Sequence, residues 1–207
     1  MQKFISLVFL AVIAVSIGCE KTPNEQSKAN SSGPTDIKFK DMVDSNVEIP
    51  ADVGSLEFVD TTGNRITLND YESKKNVVLV FTQGFNGKLC PFCQTQTSRL
   101  VANYDKFAEL DSEILVVYPG PKDHLEEFMS VAAIEEKSQT GKVPFPIVLD
   151  EDLVATTFFD IKNLHAKPST FIIDKNLKVQ LAYVGNDTTS DRPSVKAMLE
   201  KIKTINQ

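Results

Sequence analysis

The chain has 207 residues, of which 42% are hydrophobic and 24% charged, enough to build one core of ordinary domain size. Lys and Arg total 22 against 28 Asp and Glu, a formal charge of −6. No basic stripe accompanies that balance, so nucleic acid is excluded as a partner on electrostatic grounds.

The N-terminus reads as a targeting segment. Lys3 supplies a positive n-region, and residues 4–17 form an apolar stretch of h-region length, shorter than the roughly 20 residues a spanning helix needs. Residues 1–18 are therefore expected to be a cleaved signal peptide. Gly18-Cys19 resembles the lipobox of bacterial lipoproteins, in which the peptidase cuts before the cysteine and that cysteine receives acyl chains. Ser16 departs from the pattern, which usually has Leu, Val or Ile there. The alternative is an ordinary secretory signal followed by an unmodified cysteine. Cysteine arithmetic favours the lipoprotein: the 3 cysteines resolve as one lipidated thiol, Cys19, plus one vicinal pair, with no odd thiol left in an export compartment. Residues 19–39, rich in Ser, Asn, Pro and Gly, then form a lipidated, disordered tether, and residues 40–207 a single domain.

Within that domain, residues 56–60 and 65–68 alternate around the turn-forming Thr61-Thr62-Gly63-Asn64, which predicts a β-hairpin. Residues 77–81 are a continuous apolar run, hence a buried strand. It leads through a Gly-containing loop into Cys90-Pro91-Phe92-Cys93. A long Gly- and Pro-free segment follows, with Leu100, Tyr104, Phe107 and Ala108 at helical spacing, which predicts one amphipathic helix. Residues 114–118 form a second buried strand ended by Pro119-Gly120-Pro121. Residues 124–138 carry Leu125, Phe128, Met129 and Ala132 at helical spacing. A short strand (146–149), a short helix (153–159), and two strands joined by Lys175-Asn176 (169–174 and 179–184) come next. Asp191-Arg192-Pro193-Ser194 opens a final helix with Val195, Met198, Leu199 and Ile202 on one face, a start at which Pro is tolerated. The order implies an α/β domain with a mixed central sheet flanked by helices and an N-terminal β-hairpin.

The dithiol falls at a helix N-terminus, where unpaired backbone N–H groups and the helix dipole favour anions. Lys88 precedes Cys90 by two residues, and no Asp or Glu occurs between Glu72 and Asp105. The thiol of Cys90 is therefore expected to be depressed into the reactive thiolate range.

A vicinal dithiol after the first crossover strand, followed much later by Lys167-Pro168-Ser169-Thr170 running into Phe171-Ile172-Ile173-Asp174, resembles the thioredoxin superfamily. The leading hairpin, the insert between Tyr118 and Val148, and the ending Tyr183-Val184-Gly185 with Asp191-Arg192-Pro193-Ser194 are similar to its AhpC/TSA (redoxin, peroxiredoxin-like) branch. The resemblance implies a thioredoxin-like fold over roughly residues 40–205. It implies that Cys90 is the nucleophile attacking a substrate disulfide and Cys93 the resolving thiol. Pro168 corresponds to the cis-proline facing the dithiol, with the backbone beside it pairing with the substrate chain, so Lys167 and Pro168 are the implied substrate-binding residues. Peroxiredoxins carry Pro-x-x-x-Thr-x-x-Cys with a later Arg. Aligning that cysteine with Cys93 puts Cys90 at the Thr, Asn86 at the Pro and Pro168 at the Arg, so the peroxide-activating hydroxyl and cation are expected to be missing.

The expected function is thus an extracytoplasmic, membrane-tethered thiol–disulfide oxidoreductase. The alternative is a thiol-dependent, peroxiredoxin-like peroxidase. A third reading from another class is a Cu(I)-binding chaperone holding the metal between two sulfurs. A purely structural disulfide would close too small a loop to stabilise much, and zinc lacks two ligands because His124 and His165 are isolated; no cofactor or metal is expected. Residue 94 is Gln, so the His of c-type haem attachment is missing as well. Expected partners are thiols and disulfides of proteins or small molecules, peroxides in the alternative reading, and a membrane through a lipid on Cys19. The expected location is the bacterial cell envelope. His165, three residues before Pro168, is a secondary candidate at the dithiol; His124 and Arg99 read as surface residues, and Phe85 and Phe92 as a candidate apolar rim.

Overall fold

A computed structural model describes residues 37–49, 52–131, 143–186 and 191–207. The expected signal peptide, Cys19, most of the tether, and residues 132–138 of the helix expected over 124–138 lie outside those residues.

The two apolar runs become the centre of the molecule. β3 (Asn76–Phe81) and β4 (Ser112–Pro119) are buried along their whole lengths and pair in parallel, Val78 opposite Ile114 and Val80 opposite Val116. Continuous apolarity is what a strand covered on both faces requires. β5 (Ile147–Asp150) adds in parallel to β4. β6 (Ser169–Ile173) runs antiparallel to β3, and β7 (Val179–Val184) antiparallel to β6, with an irregular step at Ile172/Ile173. The predicted hairpin, β1 (Glu57–Asp60) and β2 (Arg65–Thr67), joins through β1 to β5. The order of the 7-stranded sheet is β2-β1-β5-β4-β3-β6-β7.

One face packs α1 (Pro91–Val101), α2 (Tyr104–Ala108), α3 (Leu125–Val131) and α5 (Val195–Ile205). Val78, Val80, Ile114 and Val116 meet Leu100, Phe107, Met198 and Ile202 there, and Cys90 and Cys93 belong to this core. The other face holds Leu79, Phe81, Leu115, Val117 and Phe171, closed by α4 (Val154–Phe158) and Phe159. Phe159 stacks on Phe171 at 4.3 Å, and Phe81 meets both edge-on, geometries that suit the ring quadrupoles.

Two expectations about helices are corrected. The single long helix is two, because the backbone leaves helical geometry at Asn103 (φ −126, ψ 12) and the Asn103 side chain donates to the Arg99 carbonyl at 2.8 Å, an alternative partner that ends the helix. The last helix is capped by Ser194, whose Oγ accepts from the Ala197 N–H at 3.2 Å, so Arg192 and Pro193 precede it.

Ile37, which the expected tether includes, is buried. The chain after it lies along the outer edge of β7, where Ser45 Oγ accepts from the Ala182 N–H and the Asn46 amide both accepts from the Val184 N–H and donates to the Val184 carbonyl. Among the described residues no helix is long and apolar enough to cross a membrane.

Candidate active site

The site is assembled where β3 and β4 end. Beyond β3 the chain passes through Thr82 and Gln83 to Gly84, which has φ +66, and a Cβ there would run into the carbonyl of Pro119 at the end of β4. Only glycine allows both the left-handed backbone and that approach. The loop returns to Cys90, the N-cap of α1, with Pro91 in the first turn. Cys90 Sγ accepts from the Cys93 N–H at 3.3 Å, a cysteine performing the capping usually done by Ser or Asp. The expectation of a dithiol at a helix N-terminus therefore stands. Both thiols are free, and both are nearly inaccessible, Cys90 at 8% and Cys93 at 2%.

A cation reaches the two sulfurs from the far end of the chain. Arg192 is 1% exposed, and its Nη2 donates to Cys90 Sγ at 3.4 Å and to Cys93 Sγ at 3.3 Å. Its guanidinium lies over the ring of Phe92, 5.6 Å from the centroid, a cation–π contact that uses the residue between the cysteines. The expectation that the site lacks a fixed cation is therefore corrected: position 168 is Pro, and Arg192 supplies the charge. Lys88, read from the sequence as the local cation, is exposed. Arg192 was legible only as part of a helix start. It is one of three arginines in the chain, set between Asp and Pro before the apolar pattern begins, and linear order says nothing of its distance to residue 90.

The electrostatics reverse the expected acidity. Burial opposes ionisation of Cys93, but the Cys90 S–H it accepts, the Arg192 charge, and hydrogen bonds from the Gln83 backbone N–H and Arg192 outweigh it, lowering its thiol from 9.0 to about 6. The Cys90 thiol is pushed up, first by its own hydrogen bond to Cys93, then by burial and the Cys93 charge. The pair shares one proton, and the negative charge rests first on Cys93. The expectation of a depressed Cys90 fails because the two sulfurs compete for one cation and the deeper one has more donors.

The expected cis bond at Pro168 is also corrected: no cis peptide occurs among the described residues. The backbone around it is already engaged. Lys167 N–H donates to the Ile161 carbonyl at 2.7 Å, the Pro168 carbonyl accepts from Gly185 N–H at 2.8 Å, and the Lys167 carbonyl accepts from Ser169 Oγ at 3.0 Å. A substrate strand adding there would have to displace these bonds. His165 packs against Gly84 and Gly120, beside the loop that feeds the dithiol. His124 stacks on Phe85 with centroids 3.5 Å apart and meets Glu127 at 3.1 Å. Arg99 turns away from the dithiol to the carbonyl of Ile37. Among the described residues no group of three or more His, Cys, Asp or Glu could hold a metal ion.

The profile of the AhpC/TSA family matches residues 47–182, from before β1 into β7. The chain belongs to the AhpC/TSA family. Among its relatives, thiol-disulfide oxidoreductase ResA of Geobacillus thermodenitrificans (strain NG80-2) is 31% identical over 145 residues, covering 70% of this chain and 72% of ResA. Peroxiredoxin Bcp of Bacillus subtilis (strain 168) is 28% identical over 138 residues, 62% of this chain and 80% of Bcp. Both relatives are oxidoreductases. Peroxiredoxin Q of Xanthomonas campestris superposes with a TM-score of 0.57 at 22% identity, covering 79% of this chain and 100% of that one. Peroxidoxin BcpB from Mycobacterium tuberculosis gives 0.58 at 21%, over 75% of this chain and 96% of that one. These likenesses, with the mixed sheet, show the thioredoxin-like α/β fold.

Proposed function

We propose that this protein is a thiol–disulfide oxidoreductase working through the Cys90/Cys93 pair. The observation behind the proposal is the double contact of Arg192 with both sulfurs, which lets one negative charge pass between them while the guanidinium stays in place. Cys90 is the less buried sulfur and the one an incoming disulfide meets. As the shared proton moves to Cys93, the Cys90 thiolate attacks one substrate sulfur, the substrate S–S bond breaks, and the first thiol leaves with a proton from solvent. Cys93 then attacks Cys90 Sγ in the mixed disulfide, its proton passing to the departing sulfur, and the second thiol is released. The substrate gains two electrons and the enzyme ends as the Cys90–Cys93 disulfide, to be reduced by a thiol donor. The likeness to ResA supports this reading.

Trapping tests it. A Cys93→Ser variant should accumulate mixed disulfides and a Cys90→Ser variant should not. The reverse pattern would assign the attack to Cys93.

A second reading is favoured by Cys93 itself, a thiolate lowered to about 6 and fixed beside a buried guanidinium. In peroxide reduction the Cys93 thiolate attacks one peroxide oxygen, the O–O bond breaks, and the other oxygen takes a proton from solvent and leaves as an alcohol or water. The resulting Cys93 sulfenic acid condenses with the Cys90 thiol, releasing water and forming the same disulfide. The likeness to Bcp supports it. Peroxide consumption that survives in Cys90→Ser with an added thiol, and vanishes in Cys93→Ser, would establish it.

The sequence before the domain supports a lipid anchor on Cys19 and a site of action outside the cytoplasm. Incorporation of labelled palmitate into the native chain and not into Cys19→Ser is the expected result; equal labelling of both would end that part of the reading.

A further inference from the structure

Arg192 makes the site, yet it belongs to no helix or strand: it sits just before the capped start of α5. A residue there needs something else to hold it against two sulfurs. The chain from Ile37 to Asp41 does so from both sides. Lys40 N–H donates to the Arg192 carbonyl and Ser194 N–H donates to the Lys40 carbonyl, each at 2.8 Å, a one-residue parallel bridge opposite Pro193. Ser194 Oγ donates to Asp41 at 2.6 Å. Lys40 Nζ reaches Asp191 at 2.7 Å and donates to Tyr183 OH at 2.7 Å, and Tyr183 OH donates to Asp191 at 2.6 Å. The residue preceding Arg192 is thereby tied to β7. Further back, the Ile37 carbonyl accepts from Arg99 at 2.7 Å and Phe39 lies under the Arg99 guanidinium at 4.7 Å, so the same short segment also grips α1, the helix that carries the cysteines.

We propose that residues 37–41 are a positioning strap that holds Arg192 on the two sulfurs, with Lys40, Asp191 and Tyr183 as its clamp. The inference builds on the redox-dithiol reading and adds what sets its charge: the segment through which the domain joins its N-terminal leader also controls the dithiol. Once the clamp is released, the backbone on either side of Arg192 is less firmly fixed and its guanidinium spends less time within reach of the sulfurs. The dithiol then loses the opposite charge that favours its first ionisation.

The test is the pH midpoint of thiolate formation, read by ultraviolet thiolate absorbance on the full chain with Cys19→Ser throughout, so that only the pair is observed. Arg192→Met sets the scale and should raise the midpoint by about 1–3 pH units. Asp191→Ala decides the matter by sign. Removing a nearby negative charge would by itself lower the midpoint, whereas losing the clamp raises it toward that of Arg192→Met. Tyr183→Phe, neutral in charge, should move it the same way by less, and Lys40→Arg should keep the native value. Asn46→Ala loosens the same N-terminal segment where it does not touch Arg192 and should leave the midpoint unchanged. A lowered or unmoved midpoint in Asp191→Ala, an unmoved one in Arg192→Met, or a rise in Asn46→Ala equal to that in Asp191→Ala would overturn the strap. Should Asp191→Ala fail to fold, Tyr183→Phe decides alone, and an unmoved midpoint there overturns it. Disulfide-reducing turnover of the native chain is scored separately. Its absence alongside the expected midpoints would reject the oxidoreductase reading and support the strap.

Discussion

At the scale of single residues, the site is a contest between two sulfurs for one cation, and that contest has a pH signature. Cys93 is depressed in the folded chain, so its contribution to stability is complete above its ordinary value of 9.0 and is lost as the pH falls through about 6. Cys90 is raised, so its contribution is complete below 9.0 and is lost as the pH rises beyond it. The stability that the reduced pair adds should therefore climb between about pH 6 and 9 and decline above. Urea midpoints of the reduced protein, with those of the disulfide form subtracted, should trace that hump; a flat difference would mean that Arg192 does not couple to the sulfurs. Gly84→Ala places a side chain in a left-handed backbone and against the Pro119 carbonyl, so it should cost at least about 1–2 kcal/mol in chemical denaturation, and it should slow thiol turnover because Gln83, its neighbour, donates to Cys93.

At the scale of elements, β4 shows how buried strands depend on packing from both sides. Leu115 is fully buried on the face opposite the dithiol, and Leu115→Ala should destabilise by about 2–5 kcal/mol with little change in the midpoint of thiolate formation. Ser194→Ala removes the cap of α5, about 1 kcal/mol. The strands were the legible part of this chain. Runs such as Val77-Val78-Leu79-Val80-Phe81 are apolar on both pleat faces, and only a sandwiched strand needs that. The dithiol at a helix start was legible too, because Pro91 and the loop before it mark where α1 opens. What could not be read were features decided by distance between remote segments. The break at Asn103 depends on one amide turning back to the helix, and the apolar spacing of Leu100 and Phe107 continues across it. Arg192 lies 102 positions from Cys90, and no local pattern announces that a residue before the last helix folds back into the core. The acidity order of the cysteines follows from Arg192 and was unreadable for the same reason.

At the scale of the whole molecule, the sheet separates two apolar cores, and the reactive pair belongs to one of them. If Cys90 and Cys93 exchange between dithiol and disulfide as proposed, joining them removes the anion that Arg192 faces, so reduced and oxidised forms should differ in hydrogen-exchange protection along α1 and the start of α5, while β1 and β2 stay alike. Equal protection in both forms would show that the cation is indifferent to the state of the sulfurs. The side chains of Ser45 and Asn46, lying against β7, have a further consequence. A sheet that ends in open N–H and C=O groups invites a second molecule to continue it. Here a hydroxyl and a carboxamide occupy those groups at Ala182 and Val184, and the opposite end is only the three residues of β2. The protein thereby carries its own protection against edge-to-edge self-association, and Asn46→Ala should reveal it as concentration-dependent light scattering by a chain whose dithiol chemistry is intact.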